Sequence, residues 1–484
     1  MVQSKMPLFD ALLKWKRMNP LSFHVPGHKN GKIFPEKARP LYETILSIDA
    51  TEIDGLDDLH EPEGAIFQAQ QLLSQLYGSK ESYFLVGGTT AGNLAMILAT
   101  CVEQEFVLVQ RNSHKSIMNG LEMANVKPVF LTPIVDESTN VAVGVSLDIV
   151  KEAYAAYPEA KVLIVTNPNY YGMTMDLQAT IEFAHERGMV VLVDEAHGAH
   201  FGIGEPFPNS AVSVGADVVV QSAHKTLPAM TMGSFIHVNE GYPYREKLKN
   251  YLAMLQSSSP SYPIMASLDV ARFYIAQLRE SDLQVMNESI EQFRLSLEDI
   301  DSIRLVTEQS SKYKQDPLKV IVQSKRGKSG FELQKLLERH AIFPELADEV
   351  NVLLVMPLAP VMNGEHTVLK MTKALTKDPI EQDKKNVSVK NMFEFERSYR
   401  SLSLSYKEMA KAQKKYIPLH EAERKVAAEP IIPYPPGIPL IMKGEVILRK
   451  DIEMLDRLLA KGARIQGGSK LNEKQLLIFD DRGE

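Results

Sequence analysis

Cysteine is almost missing from this chain of 484 residues, where Cys101 stands alone. One thiol can form neither an intramolecular disulfide nor a thiolate metal cluster, which suits a reducing compartment and makes the cytoplasm the expected location. Long apolar runs are missing too: no stretch of about 18 uncharged apolar residues occurs, so no membrane span is expected. The N-terminus has no continuous apolar core either. Leu8, Leu12, Leu13 and Trp15 alternate with Asp10, Lys14, Lys16 and Arg17, the pattern of an amphipathic helix rather than a signal peptide. Finally, basic excess is absent. Lys and Arg number 54 against 61 Asp and Glu, a net charge of -7, which supplies no field for nucleic acid or anionic membranes. We find no solenoid-period repeat and no low-complexity tract.

What is present reads as an ordinary globular composition, with 44% hydrophobic and 24% charged residues. The length predicts two or three domains at roughly 100–200 residues each. Between residues 80 and 240, apolar runs rich in Val, Ile and Leu alternate with helical stretches: FVLVQ, PVFLTP, KVLIVTNP, VVLVDEAH, DVVVQSAHK and GSFIHV. This is the α/β pattern, and unalternating strands of this kind are buried on both faces of a largely parallel sheet. Asn167, Asp194, His197, Ser222, His224 and Lys225 fall at or just beyond strand C-termini, where open α/β sheets bind ligands. Two loop-like stretches, HVPGHKNG and EIDGLDDLHEPEG, precede this region and are placed to reach a site. Beyond about residue 265 the pattern becomes that of a smaller α+β region, with strands in LKVIVQ and VLLVMPL. Residues 373–425 read as solvated helices and connections, and PYPPGIP as a rigid loop.

Lys225, in SAHKT directly after an apolar strand, is placed as an amine nucleophile for an aldehyde cofactor, though the pentapeptide alone equally fits a surface lysine. Asp194 ends a buried strand and must be paired. A protonated pyridine nitrogen would pair it and keep the ring an electron sink, while a helix-capping carboxylate is the competing explanation. Gly87-Gly88-Thr89-Thr90-Ala91-Gly92-Asn93 opens a helix whose free N–H groups favour an anion. It lacks the GK[ST] ending of a nucleotide loop, so a small phosphorylated cofactor fits better. His114 follows a strand and turn and could stack on an aromatic ring, with Lys115 beside it as a rival nucleophile. No metal is expected: His197 and His200 have no third ligand at fitting spacing, and Pro26 and Gly27 break the register of His24 and His28.

These residues resemble the Orn/Lys/Arg decarboxylase family of pyridoxal-phosphate enzymes with the aspartate-aminotransferase fold type. FHVPGHKNG, DGLDDLHEPEG, GGTTAGN, RNSHKS, TNPNYYG, VDEAHGAH, QSAHKT and QSSSPSYPIMASLD follow that family's signatures in order, and PYPPGIPLIMKGE recurs near the C-terminus. The length resembles the short members that lack an N-terminal wing domain. The resemblance implies an α/β large domain of fold type I with a mostly parallel seven-stranded sheet, and a smaller α+β C-terminal domain. We place an N-terminal helix and loop segment at 1–60, the cofactor-binding domain at 61–265 and the small region at 266–484.

The resemblance further implies that pyridoxal 5'-phosphate is bound covalently by Lys225, with Asp194 on the pyridine nitrogen. His114 would stack on one face of the ring, Ala196 on the other, and Asn167 would lie near the phenolic oxygen. Thr89, Thr90, Ser222 and His224 would hold the phosphate, with Ser258 reaching it from the neighbouring subunit of a homodimer or larger homo-oligomer. The expected reaction removes the α-carboxylate of arginine, lysine or ornithine as CO2, giving agmatine, cadaverine or putrescine. Asp54, Asp57, Glu345 and Asp348 are candidates to pair with the substrate's distal cation. Asn169 stands where threonine is common and Lys443 where proline is common, which bears on fine geometry. An aminotransferase or aldolase-type lyase on the same scaffold, or a silent cofactor-binding paralogue, are the alternatives.

Overall fold

A computed structural model describes residues 2–306, 312–376, 397–434, 437–460 and 464–480. Pro435 and Pro436 of PYPPGIP, and 377–396 of the charged stretch expected to be solvated, lie outside the described residues. The chain forms two compact units that interleave in sequence. The first comprises 1–100, 115–120 and 181–283; the second comprises 101–114, 121–180 and 284–484.

In the first unit, Val190–Asp194 pairs in parallel with Val218–Gln221, and Ser234–Val238 then joins antiparallel, followed by Glu81–Leu85. Val191, Leu192, Val193, Val218, Val219 and Val220 are all buried, as runs without alternation require. Helix Gly88–Thr100 packs on these strands. At Gly92 a β-carbon would come within 2.7 Å of both Leu85 Cδ1 and Val220 Cγ1, so only glycine permits this approach. In the second unit, Phe106–Gln110 pairs in parallel with both Lys127–Leu131 and Val162–Thr166, and the strand Tyr399–Ser401 adds an antiparallel edge. Seven of these strands thus come from residues 81–238, and among these eight the antiparallel pairings are those made by Glu81–Leu85, Ser234–Val238 and Tyr399–Ser401. The α/β class is as expected.

The later part of the second unit is the anticipated α+β region. Ile303–Val306, Lys319–Ser324, Asn351–Val355 and Leu346–Ala347 form an antiparallel sheet, with helices Gly330–Glu338 and Gly364–Thr376. A separate core beyond it gathers Leu419, Ile431, Ile441, Ile447, Leu455 and Ile478.

The N-terminal helix is Pro7–Arg17, with Leu8, Leu12 and Trp15 buried. Its first turn is capped from far along the chain. Asp269 Oδ2 accepts hydrogen bonds from the Leu8 and Phe9 amides at 3.0 and 3.3 Å, satisfying donors that a helix start leaves open. Arg272 pairs with Asp269 at 2.8 Å and donates to the Gln3 carbonyl at 2.9 Å, both side chains fully buried. Burial pushes the Asp269 carboxyl up, against the opposing pull of Arg272. Asp269→Ala leaves a buried guanidinium unpaired, so it should destabilise the first unit by about 3–5 kcal/mol. Thermal melting followed by limited proteolysis checks this, with cleavage expected first around residues 1–20.

Candidate active site

Strand Val218–Gln221 delivers the chemistry of the first unit. It is wholly buried and ends in Ser222, after which Ala223–Thr226 makes a single helical turn. That turn aims Lys225 so that its Nζ lies 2.9 Å from His197 Nε2. His224 turns away, its Nδ1 at 3.0 Å from the Gly233 carbonyl. A ring nitrogen facing a carbonyl must carry the proton, so Nδ1 is the donor.

Three hydroxyls meet at the start of helix Gly88–Thr100. Thr89 Oγ1 contacts Ser222 Oγ and lies 3.3 Å from Ser234 Oγ. Thr90, next along, is exposed. Hydroxyls without a carboxylate among them, set at the N-terminus of a 13-residue helix, are donors suited to a phosphate. Ser234 was not singled out from the sequence, where it reads as one more strand residue of GSFIHV.

Asp194 closes the strand Val190–Asp194 and is buried. Its Oδ1 accepts from the Ala196 amide at 3.2 Å and its Oδ2 from Asn93 Nδ2 at 3.0 Å. Asn93 also donates to Ser116 Oγ at 2.9 Å, and its own Oδ1 finds no hydrogen-bond partner among the described residues. It too was missed. The only sequence signal was spacing, since Thr89 and Asn93 stand four apart and share one helical face. Glu195 points away from Asp194 into the protein. Burial raises its carboxyl to about 7, while hydrogen bonds from Ser210, the Ala211 amide and Gln221 oppose that rise.

Other expected residues have different surroundings. Asp57 is a backbone cap: its carboxylate accepts from the amides of Asp58, Glu63, Gly64, Ile66 and Phe67 at 2.8–3.2 Å. Asp54 is exposed. Ser258 is exposed in a loop, near which His60 Nε2 meets the Ser257 carbonyl at 2.9 Å. His114, Asn167, Glu345 and Asp348 belong to the second unit. His114 is exposed just after strand Phe106–Gln110. Asn167 exchanges hydrogen bonds with the Met175 backbone, receiving its N–H at 2.8 Å and donating to its carbonyl at 3.3 Å. Asp348 is buried and accepts from Tyr171 Oη, from Asn351 Nδ2 at 2.8 Å, and from the Val350 and Asn351 amides at 2.7 and 2.8 Å. Glu345 is exposed. Lys443, where proline is common, lies 3.7 Å from Glu122.

The second unit also holds a pairing that no motif announced. Arg111, directly ahead of Asn112, Ser113 and His114, is fully buried and donates Nη1 and Nη2 to the two carboxylate oxygens of Glu445 at 2.6 and 2.7 Å. The C-terminal motif PYPPGIPLIMKGE is thereby fastened to the segment leading into His114.

Within the first unit, then, a lysine with an imidazole at its nitrogen, a buried aspartate and a nest of hydroxyls occupy consecutive strand ends. This donor set fits an aldehyde cofactor that carries a phosphate and a basic ring nitrogen. Among the described residues no cluster of three His, Cys, Asp or Glu able to hold a metal ion occurs.

Residues 6–363 match the model of the Orn/Lys/Arg decarboxylase major domain, and residues 387–466 that of the Orn/Lys/Arg decarboxylase C-terminal domain. The chain is 47% identical over 476 residues to the uncharacterized protein YaaO of Bacillus subtilis, covering 98% of each. It is 34% identical over 478 residues to an arginine decarboxylase of the same organism, covering 96% of each. The lysine decarboxylase LdcF of Francisella novicida superposes with a TM-score of 0.77 at 20% identity, over 98% of this chain and 81% of that one, a likeness that shows a shared fold.

Proposed function

The chain belongs to the Orn/Lys/Arg decarboxylase family, and from that premise we propose that it removes the α-carboxylate of a basic amino acid as CO2 with pyridoxal 5'-phosphate as cofactor. The observation that carries this reading is the convergence of Lys225, Asp194 and the Thr89, Ser222 and Ser234 hydroxyls on one edge of the first unit. Lys225 would bind the cofactor's aldehyde carbon, Asp194 its ring nitrogen, and the hydroxyls with Thr90 and His224 its phosphate. When bound, the cofactor supplies a cationic ring that accepts the electron pair left on Cα. The chain's own part is orientation and charge. Asn93 and the Ala196 amide fix the Asp194 carboxylate, and His114, Ala196 and Asn167 are assigned to the two ring faces and the phenolic oxygen.

A homodimer is the proposed working unit, with Ser258 reaching the neighbouring site. Its exposure supports this, as do Phe23, Leu41 and Leu21 in the N-terminal segment, which expose 94, 85 and 80% of their surface, apolar area that a partner subunit would cover. For the substrate's distal cation, Asp57 and Asp348 are committed to backbone and side-chain donors, which leaves Asp54 and Glu345 as the proposed pair. Arginine or lysine is preferred over ornithine, with agmatine or cadaverine as product. The buried thiol of Cys101 suits a cytoplasmic location; no described helix is long and apolar enough to cross a membrane.

The test is CO2 release by cofactor-loaded protein from arginine, lysine and ornithine in parallel, with Lys225→Ala as control. Release from one substrate, reduced in the variant by at least about 10⁴-fold, is expected, since loss of a covalent nucleophile removes a whole catalytic route. Keto-acid or aldehyde products without CO2 would establish an aminotransferase or aldolase instead. No turnover with retained cofactor would mark a silent paralogue.

A further inference from the structure

His197 has no task in the reading given so far, although its Nε2 faces Lys225 Nζ at 2.9 Å. Its place is built with some care. Glu195, two residues earlier and fully buried, accepts from Ser210 Oγ, the Ala211 amide and Gln221 Nε2, each at 2.7 Å. The turn that carries His197 is thereby tied both to the 210–211 segment and to the strand leading to Lys225. Backbone bonds add to this: Glu195 N donates to the Val220 carbonyl at 2.9 Å and Ser222 N to the Ala196 carbonyl at 3.3 Å. Gly198, next in line, cannot hold a side chain, because its β-carbon would lie 2.7 Å from both Glu195 Cγ and Phe201 Cδ2. Tyr77 Oη donates to the Ala199 carbonyl. These contacts fix the turn that carries the buried His197, whose ring meets the lysine.

An ammonium has no electron pair with which to attack an aldehyde, so Lys225 must lose a proton before it can act. While Lys225 is an ammonium its Nζ can only donate, so His197 Nε2 is the acceptor in their contact. Imidazole, with an unperturbed pKa of about 6.5, is the side chain suited to take and return a proton near neutral pH. We propose that His197 is a catalytic residue, the base that takes the proton from the Lys225 ammonium and gives it back when the lysine is displaced. In the forward step the Nζ–H bond breaks and the proton moves to Nε2. The freed pair on Nζ then forms the bond to the aldehyde carbon, and the carbonyl oxygen leaves as water with the two remaining amine protons. When the lysine is displaced, a substrate amine forms the new bond to that carbon as the bond to Nζ breaks; the two protons of that amine pass to Nζ, and the one held by His197 restores the ammonium.

This inference rests on Lys225 being the cofactor lysine, and its test does not use turnover. Apo-protein is mixed with pyridoxal phosphate, imine absorbance is followed by stopped flow, and the adduct is reduced with borohydride and located by peptide mass. His197→Gln keeps a hydrogen-bonding group but cannot accept a proton; His197→Ala leaves space for added imidazole. Both variants should form the adduct about 10²-fold more slowly or worse, the usual scale of general acid–base assistance. Imidazole should restore the His197→Ala rate in proportion to its concentration. A folded His197→Gln protein reacting at the wild-type rate overturns the proposal, as does a slow, folded His197→Ala protein that saturating imidazole leaves slow. If His197→Ala does not fold, the His197→Gln rate decides alone. Wild-type protein that forms no adduct at Lys225 overturns the cofactor reading and this one with it, whereas fast adduct formation without CO2 release leaves this proposal standing and removes only the decarboxylase reading.

Discussion

Asp194→Ala should slow CO2 release by about 10³-fold or more while Lys225 still forms its adduct. Charge preorganised where charge develops in the transition state accelerates a reaction as much as any single device an enzyme has, and one such group is worth about 10²–10³-fold even when it is only a neutral donor. A full carboxylate opposite a protonated ring nitrogen is worth no less. The structure adds a graded control. Asn93 holds Asp194 Oδ2 at 3.0 Å and spans to Ser116, so Asn93→Ala should misorient the carboxylate without removing it and cost about tenfold, of the order of one hydrogen bond. Single-turnover rates with each variant, read beside the absorbance of the bound cofactor, separate loss of chemistry from loss of binding. Equal rates for Asp194→Ala and wild type would remove Asp194 from the mechanism.

Glu445→Ala should be the most destabilising single change in the second unit. It leaves Arg111, fully buried, without the carboxylate that both its terminal nitrogens engage, and breaking a buried pair on one side costs about 3–5 kcal/mol. A fall in melting temperature of about 10 °C is expected on that basis. The pH dependence has a definite sign. Burial would push the Glu445 carboxyl up, but the Arg111 guanidinium, its hydrogen bonds and Arg400 hold it below the ordinary carboxylate range. A depressed acid stabilises above its unfolded pKa of about 4.3 and loses that contribution as pH falls through the folded value. The gap in melting temperature between wild type and Glu445→Gln should therefore be constant from pH 8 to pH 5 and narrow only below about pH 4. A gap that closes near neutrality would show that another group governs it.

Much of this was legible in the sequence because it was local. Apolar runs such as VVLVD and DVVVQ contain their own strand signal, and the polar residue ending each run marks where the sheet opens. The helix after GGTTAGN could be read the same way. What stayed hidden depends on partners far along the chain. Glu445 lies 334 positions from Arg111, and nothing near either one indicates the other. Asn93 looked like the last letter of a glycine-rich motif until the fold set Asp194 against it. His197 looked like half of a metal pair with no other half; its partner is a lysine on the turn that follows the neighbouring strand. Asp57 and Asp348 look like loop carboxylates available to a cation, because backbone amides leave no trace in composition, and it is backbone amides that occupy much of both. The strand Glu81–Leu85 is hard to read for a related reason: as an antiparallel edge beside Ser234–Val238 it has partly exposed residues among its buried ones and lacks the unbroken apolar run that marks the others.

The close seating of helix Gly88–Thr100 on its strands has one more effect. With no side chain at Gly92 the helix seats directly on Leu85 and Val220, so Thr89 and Asn93 behave as the two jaws of a calliper, about 6 Å apart along the axis at 1.5 Å per residue. One jaw meets the hydroxyls of Ser222 and Ser234, the other the carboxylate of Asp194. One added residue between them would swing the second jaw by about 100° around the axis, at 3.6 residues per turn, and carry it off its mark. The stretch from residue 89 to residue 93 is thus a place where this chain can neither gain nor lose a residue.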